Sequence, residues 1–132
     1  MILVDTSVLL DIVKNDPVWS PWSLDAYEAA SLQDDLAIND IVYAEVSSRY
    51  ASIDDLDRAL AVLLLPVHPI PRAGLFLAGK AYKRYRERRG TKTGVLPDFF
   101  IGAHAAVEGA SLLTRDPGRV QSYFPTVKVI SP

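Results

Sequence analysis

A three-layer α/β/α sandwich around a mainly parallel central sheet is the fold class this sequence predicts, and three features predict it. Short apolar runs recur along the chain, at Ile2-Leu3-Val4, Leu36-Ala37-Ile38, Val67-His68-Pro69-Ile70, Leu112-Leu113-Thr114 and Val127-Lys128-Val129-Ile130. Segments of helical period separate them, and strands alternating with helices build parallel βαβ units. The first run ends at an acid, Asp5, followed by two hydroxyls and Val8-Leu9-Leu10. That is the pattern of a buried parallel strand meeting a helix N-terminus, which leaves Asp5 in the crevice beyond the strand ends where open α/β sheets bind ligands.

Taken in order, the first helix is expected over about Ser7 to Lys14, with Thr6 or Ser7 capping its free N–H groups and Asn15-Asp16-Pro17 ending it. Val18 to Ser23 is a connection holding both tryptophans, Trp19 and Trp22, read as packing on the core, with a partner-binding surface as the alternative. Ser23 is placed to cap a second helix, about Leu24 to Gln33, and Asn39-Asp40 ends the second strand. The next helix, about Ile41 to Tyr50, puts Ile41, Val42, Glu45 and Arg49 on one side. Glu45 on an apolar stripe needs a cation or hydrogen-bond donors; an i,i+4 pair with Arg49 would also satisfy it. Ile53 to Leu64 is a periodic helix whose first-turn acids Asp54, Asp55 and Asp57 suit the helix dipole. The prolines around Val67 to Ile70 mark an edge strand or a strand end.

Arg72 to Arg89 is the longest expected helix, with Leu75, Ala78, Tyr82 and Tyr85 on one face. A polar loop, Gly90 to Gly94, leads to Leu96-Pro97-Asp98, a helix start with an acid in its first turn. That helix runs to about Glu108 with Gly102 and Ala105 beside Asp98, small residues that let it lie close to the sheet, and Gly109 ends it. Arg115-Asp116-Pro117-Gly118 is a turn, and a short helix near Gln121 precedes the last strand.

A chain of 132 residues has the length of one domain with one core. With 49% hydrophobic and 23% charged residues it falls among ordinary soluble globular proteins and outside the disordered ones. The formal net charge is -2, so bulk charge indicates no nucleic-acid partner. Its distribution says more. Seven of the 14 Lys and Arg residues are Lys80, Lys83, Arg84, Arg86, Arg88, Arg89 and Lys92, a basic stripe beside an acidic remainder. Such a division suits a protein that holds a cation in one place and an anionic polymer in another. Cations near a helix C-terminus also suit the dipole, but the stripe exceeds that need, and phosphate contact is the preferred reading. There is no cysteine, so disulfides and thiolate zinc sites are excluded. Asp5 and Asp11 interrupt any signal-like apolar start, and no stretch has the length of a membrane span, so a cytoplasmic, soluble domain is expected.

Four acids stand out. Asp5 and Asp116 both follow strands, whose carboxyl ends share one edge of a parallel sheet, while Asp98 opens a helix and Glu45 lies within one. Singly, each Asp has a bland use as a cap, first-turn acid or turn former. Brought together, four carboxylates would repel one another, and a divalent cation removes the conflict. Hard oxygen ligands without a nearby His or Cys pattern select Mg²⁺ or Mn²⁺, whose chemistry is hydrolysis of a phosphodiester. His68 and His104 are expected to be structural or exposed.

The stretches Ile2-Leu-Val-Asp5-Thr-Ser7, Asn39-Asp40-Ile-Val-Tyr-Ala-Glu45-Val46, Leu96-Pro97-Asp98-Phe-Phe-Ile-Gly-Ala-His-Ala105 and Leu112-Leu113-Thr114-Arg115-Asp116 resemble the successive motifs of PIN domains, in order and over nearly the whole chain. Within that family the chain is most similar to the small single-domain toxins of the VapC type. The resemblance implies one PIN-like nuclease domain over residues 1–132, a Mg²⁺- or Mn²⁺-dependent endoribonuclease, often a homodimer, held inactive by a cognate antitoxin that inserts a segment near the site. Carried over, Asp5, Glu45, Asp98 and Asp116 would be the catalytic and metal-binding quartet, with Ser7 and Thr114 as supporting hydroxyls. Gly102 stands where many relatives carry alanine, a small-for-small exchange expected to leave the chemistry untouched. Lys83, Arg84, Arg86, Arg88, Arg89, Lys92 and Arg115 are the expected RNA contacts. The alternative is a PIN fold used only as an RNA- or protein-binding module, against which the intact quartet argues. A haloacid-dehalogenase-type phosphatase needs a second Asp where Ser7 stands. A receiver-type module needs a phosphoacceptor Asp at a mid-chain strand end, and a Lys where Arg115-Asp116 follows the late strand.

Overall fold

The computed structural model describes residues 1–88, 90, 91 and 94–132. Five strands, β1 (Ile2–Val4), β2 (Leu36–Asn39), β3 (Val67–His68), β4 (Ser111–Leu113) and β5 (Val129–Ile130), form one sheet in the order β3-β2-β1-β4-β5. Every pairing between them is parallel; Leu3, for example, faces Ala37 on one side and Leu112 on the other. Helices α1 (Thr6–Lys14), α2 (Ser20–Ser31), α3 (Asp40–Ser47), α4 (Ile53–Val62), α5 (Arg72–Glu87), α6 (Leu96–Glu108) and α7 (Gly118–Tyr123) complete the three-layer α/β/α sandwich. A parallel sheet needs both faces covered, and β1 and β2 are buried along their whole length. From β1 the chain winds outward through β2 to β3, then returns to the far side of β1 to lay down β4 and β5. The direction of winding therefore reverses between β1 and β4, and a crevice opens at their carboxyl ends.

Local chemistry explains where the elements depart from expectation. Asp5, not Thr6 or Ser7, caps α1, accepting from the Thr6 N–H at 2.8 Å. The second helix starts at Ser20, earlier than Leu24, because Pro21 is tolerated in a first turn and Asp16 accepts from the N–H groups of Val18 and Trp19 just before it. Ser23 thus sits inside α2, buried, and donates to Asp11 at 2.7 Å. Trp22 packs on the core, and Trp19 lies 4.9 Å from the Arg115 guanidinium. Asn39 caps α3 through the Val42 N–H.

The buried face of α5 is Gly74, Ala78 and Ala81, flanked by Tyr82 and Tyr85, whereas Leu75 is exposed. Small residues on that face let α5 pack closely along α6. Gly109 ends α6 with a left-handed backbone, φ 64°, that an L side chain resists. β3 is a short exposed edge strand. Among the described residues, no helix is long and apolar enough to cross a membrane.

Candidate functional site

Asp5 leaves the end of β1 and has no freedom to choose its rotamer. Its Oδ1 accepts from the Thr6 N–H, and its Oδ2 accepts from the Thr114 hydroxyl at 2.6 Å and the Ser7 hydroxyl at 3.1 Å. Its own N–H donates to the Leu113 carbonyl at 2.9 Å, which locks the end of β1 to the end of β4. Thr114 also accepts from the Asp116 N–H at 3.1 Å, so one hydroxyl joins the two strand-end acids. The two hydroxyls named from the sequence, Ser7 and Thr114, both serve Asp5.

Asp5, Glu45, Asp98 and Asp116 line a single cleft of about 220 Å³, together with Thr6, Ser7 and Arg119. Parallel topology brings Asp5 and Asp116 to it; α3 and α6 deliver the other two from their first turns and beyond. Glu45 does not point into the core as its stripe suggested. Val42 and Val46 take the buried face of α3, and Glu45 is exposed at the rim of the cleft, accepting from the Thr6 hydroxyl at 2.7 Å. The alternative reading, a Glu45–Arg49 pair, is not among the ion pairs of the described residues.

The acids of the cleft sense one another through their charges. Burial raises the Asp5 carboxyl above the usual range, its three hydrogen bonds oppose the shift, and the negative charge of Asp116 adds to it. Burial likewise raises Asp98, with the charges of Asp5 and Glu45 adding and Arg119 opposing. Arg119 escaped the sequence reading. Its Nη1 lies 2.7 Å from Asp98 Oδ2, and it is the one basic side chain lining the cleft among the described residues. It stands three residues after Asp116, in the first turn of α7, and α7 is too short for periodicity to reveal which way it faces. Thr6, read only as a cap, was missed as the partner of Glu45.

Arg115 does not join the basic stripe. Its guanidinium donates twice to Asp11, at 2.9 and 3.1 Å, and Asp11 is 2% exposed. A buried carboxylate without a partner is costly, so this arginine is held where it stands. Its N–H also donates weakly to the Ser7 hydroxyl at 3.3 Å, tying the turn that carries Asp116 to the start of α1. Lys83, Arg84, Arg86 and Arg88 are exposed on and just beyond the carboxyl half of α5, with Arg88 over the Tyr123 ring at 5.5 Å. Arg89 and Lys92 lie outside the described residues. His104 is buried, with its Nδ1 3.2 Å from the Asn39 amide nitrogen, and His68 is exposed. An apolar hollow formed by Leu60, Leu64, Pro66 and Val67 shares no residue with the acidic cleft.

Comparison with known proteins bears on this geometry. Residues 2–122 match the family model for the PIN domain. The fold is similar to that of VapBC2 from Rickettsia felis, solved bound to a DNA fragment from their promoter, at 19% identity, covering 100% of this chain and 99% of that one, with a TM-score of 0.74. VapBC-1 from nontypeable Haemophilus influenzae is similar at 20% identity, 99% and 98% coverage and a TM-score of 0.74. A toxin–antitoxin complex from Klebsiella pneumoniae is similar at 23% identity, 98% and 96% coverage and a TM-score of 0.66. No curated protein sequence matches.

Proposed function

The chain belongs to the PIN domain family, and from that footing we propose that it is a metal-dependent endoribonuclease of the VapC type, hydrolysing RNA phosphodiester bonds as the toxin of a toxin–antitoxin pair. The observation that carries this reading is the meeting of Asp5, Glu45, Asp98 and Asp116 in one cleft at the point where the sheet reverses its winding. Three of these acids come from chain segments far apart, and holding their like charges together is costly for a scaffold that has no use for them.

The donor set fits Mg²⁺ or Mn²⁺ in kind: carboxylates and hydroxyls, with no imidazole or thiolate lining the cleft. Among the described residues, no group of three or more His, Asp or Glu side chains stands ready to hold an ion, and Asp98 has one oxygen on Arg119. Asp5, Asp98 and Asp116 would hold the ion, with Glu45 at the rim. Once bound, such an ion supplies Lewis acidity that activates water and neutralises phosphate oxygens. Asp5 is oriented in advance by Thr114, Ser7 and the Thr6 N–H, so it needs no reorganisation. Exposed Glu45, which accepts from the Thr6 hydroxyl, would take a proton from water entering the cleft. The exposed cations of α5 would carry the RNA backbone. A cognate antitoxin as partner, which the toxin–antitoxin complex from Klebsiella pneumoniae with this fold supports, and a homodimer as the assembly belong to the same proposal.

The test is RNA cleavage by the purified chain with Mg²⁺ or Mn²⁺ and with a chelator. Fragments are expected only with metal, and Asp98→Asn should slow cleavage about a hundredfold or more, since even an outer-shell partner of a metal costs up to that factor. RNA binding without cleavage, equal in native protein and Asp98→Asn, would instead favour a non-catalytic binding module.

A further inference from the structure

Beside the acidic cleft lies a second, wider groove of about 690 Å³, whose lining includes Tyr85, Gly118, Ser122 and Tyr123. Asp98, Asp116 and Arg119 line both spaces and form the wall between them. The cleft is narrow and acidic. The groove is broad enough for a nucleotide, carries two tyrosine rings, and has the Arg88 guanidinium over one of them at 5.5 Å. Arg119 stands at the junction, its guanidinium 2.7 Å from Asp98 and 5.7 Å from the centre of the Tyr85 ring.

This position sets up a competition. Arg119 and any cation held by Asp98 seek the same carboxylate, and two positive charges close together repel. The Arg119–Asp98 pair is partly solvated, with side chains 25% and 45% exposed, so it is weak enough to be exchanged. A guanidinium released from Asp98 while still lying along Tyr85 has the groove beside it, and its donor fork matches two oxygens of a phosphate. We propose that Arg119 is a substrate-binding residue for the phosphate of a nucleotide seated in this groove, held on Asp98 until the metal takes that carboxylate. The inference rests on the metal-dependent reading above and adds to it the groove, the residue and the order of exchange.

Two titrations test it, with opposite signs expected for one variant. In calorimetric titration without nucleotide, Arg119→Gln should bind Mn²⁺ about two- to fivefold more tightly than native protein, because its competitor for Asp98 is gone. In the Mg²⁺-loaded protein, adenosine monophosphate, which has no phosphodiester to cleave, should bind Arg119→Gln about tenfold more weakly, followed by NMR shifts of the tyrosine rings. Arg119→Lys should fall between native and Arg119→Gln in both. A variant that merely distorts the site would weaken both ligands, and that result, or no change in either, overturns the proposal. If native protein takes up neither Mn²⁺ nor Mg²⁺, the metal-dependent reading fails and this inference with it. If native protein binds the metal and Arg119→Gln matches it in both titrations, this inference alone fails. Should Arg119→Gln not fold, Arg119→Met provides the same pair of readings.

Discussion

Asp5 shows how much one side chain can integrate: it caps α1, closes the end of β1 against β4, and faces the cleft. The order of residue types, an acid after three apolar residues and before two hydroxyls, put Asp5 in the crevice beyond the strand, whereas its cap on α1, expected from Thr6 or Ser7, and its tie to β4 emerged only in the fold. Glu45 was harder, because a helical wheel cannot say which of two neighbouring stripes is buried; Val42 and Val46 decided it once the sheet was in place. The pairing of Arg115 was hidden for a related reason: its partner Asp11 is 104 positions away, and only the packed fold brings the two together. His104 makes a prediction of its own. The Asn39 side-chain oxygen accepts from Val42, so its amide nitrogen faces His104 Nδ1, which must accept and therefore be unprotonated. Burial lowers the pKa of this histidine below the usual 6.5, with Glu108 and Asp40 opposing in part. A folded-state pKa below the unfolded value means that neutral His104 contributes stability above pH 6.5 and loses it as pH falls toward the folded value. Urea midpoints should drop below pH 6.5 in native protein and drop less in His104→Gln.

The helices and strands were largely legible, because alternation of apolar runs with helical segments leaves few topologies for a parallel sheet. Their ends were less so. The start of α2 moved to Ser20 because the side chain of Asp16 organises the turn before it, an interaction that composition does not reveal. Packing between helices was the larger blind spot. Gly102, expected to tolerate a small-for-small exchange, faces Phe124, whose ring would lie 2.5 Å from an added Cβ. Phe124 is 3% exposed and packs edge-on against Phe99, so it has nowhere to retreat. Gly102→Ala should therefore destabilise the fold by about 1–3 kcal/mol, the cost of overpacking a filled core, measured by urea denaturation. Denaturation unchanged from native would show that the end of α7 yields freely. Because α7 also carries Arg119, the fit of Phe124 against Gly102 links the core to the site.

Across the whole molecule, charge is divided as the sequence predicts, with an acidic cleft at the reversal of the sheet and exposed cations along the end of α5. The net charge of -2 conceals this, since it averages two opposed surfaces. If the α5 cations track RNA phosphates, replacing Arg84 and Arg86 by Glu should weaken RNA binding. It should also flatten the dependence of log affinity on log salt by about 0.7 for each phosphate that is no longer neutralised, while leaving metal binding intact. Equal RNA affinity in that variant would mark the stripe as a solvated face. The convergence of four acids on one cation remains the central claim, and paramagnetic broadening reads it most directly. Substoichiometric Mn²⁺ added to isotope-labelled protein should first erase the amide signals around Asp5, Glu45, Asp98 and Asp116 together, and should spare those of the edge strand β3. Broadening centred on the first-turn acids Asp54 and Asp55 of α4, or none at all, would contradict the account.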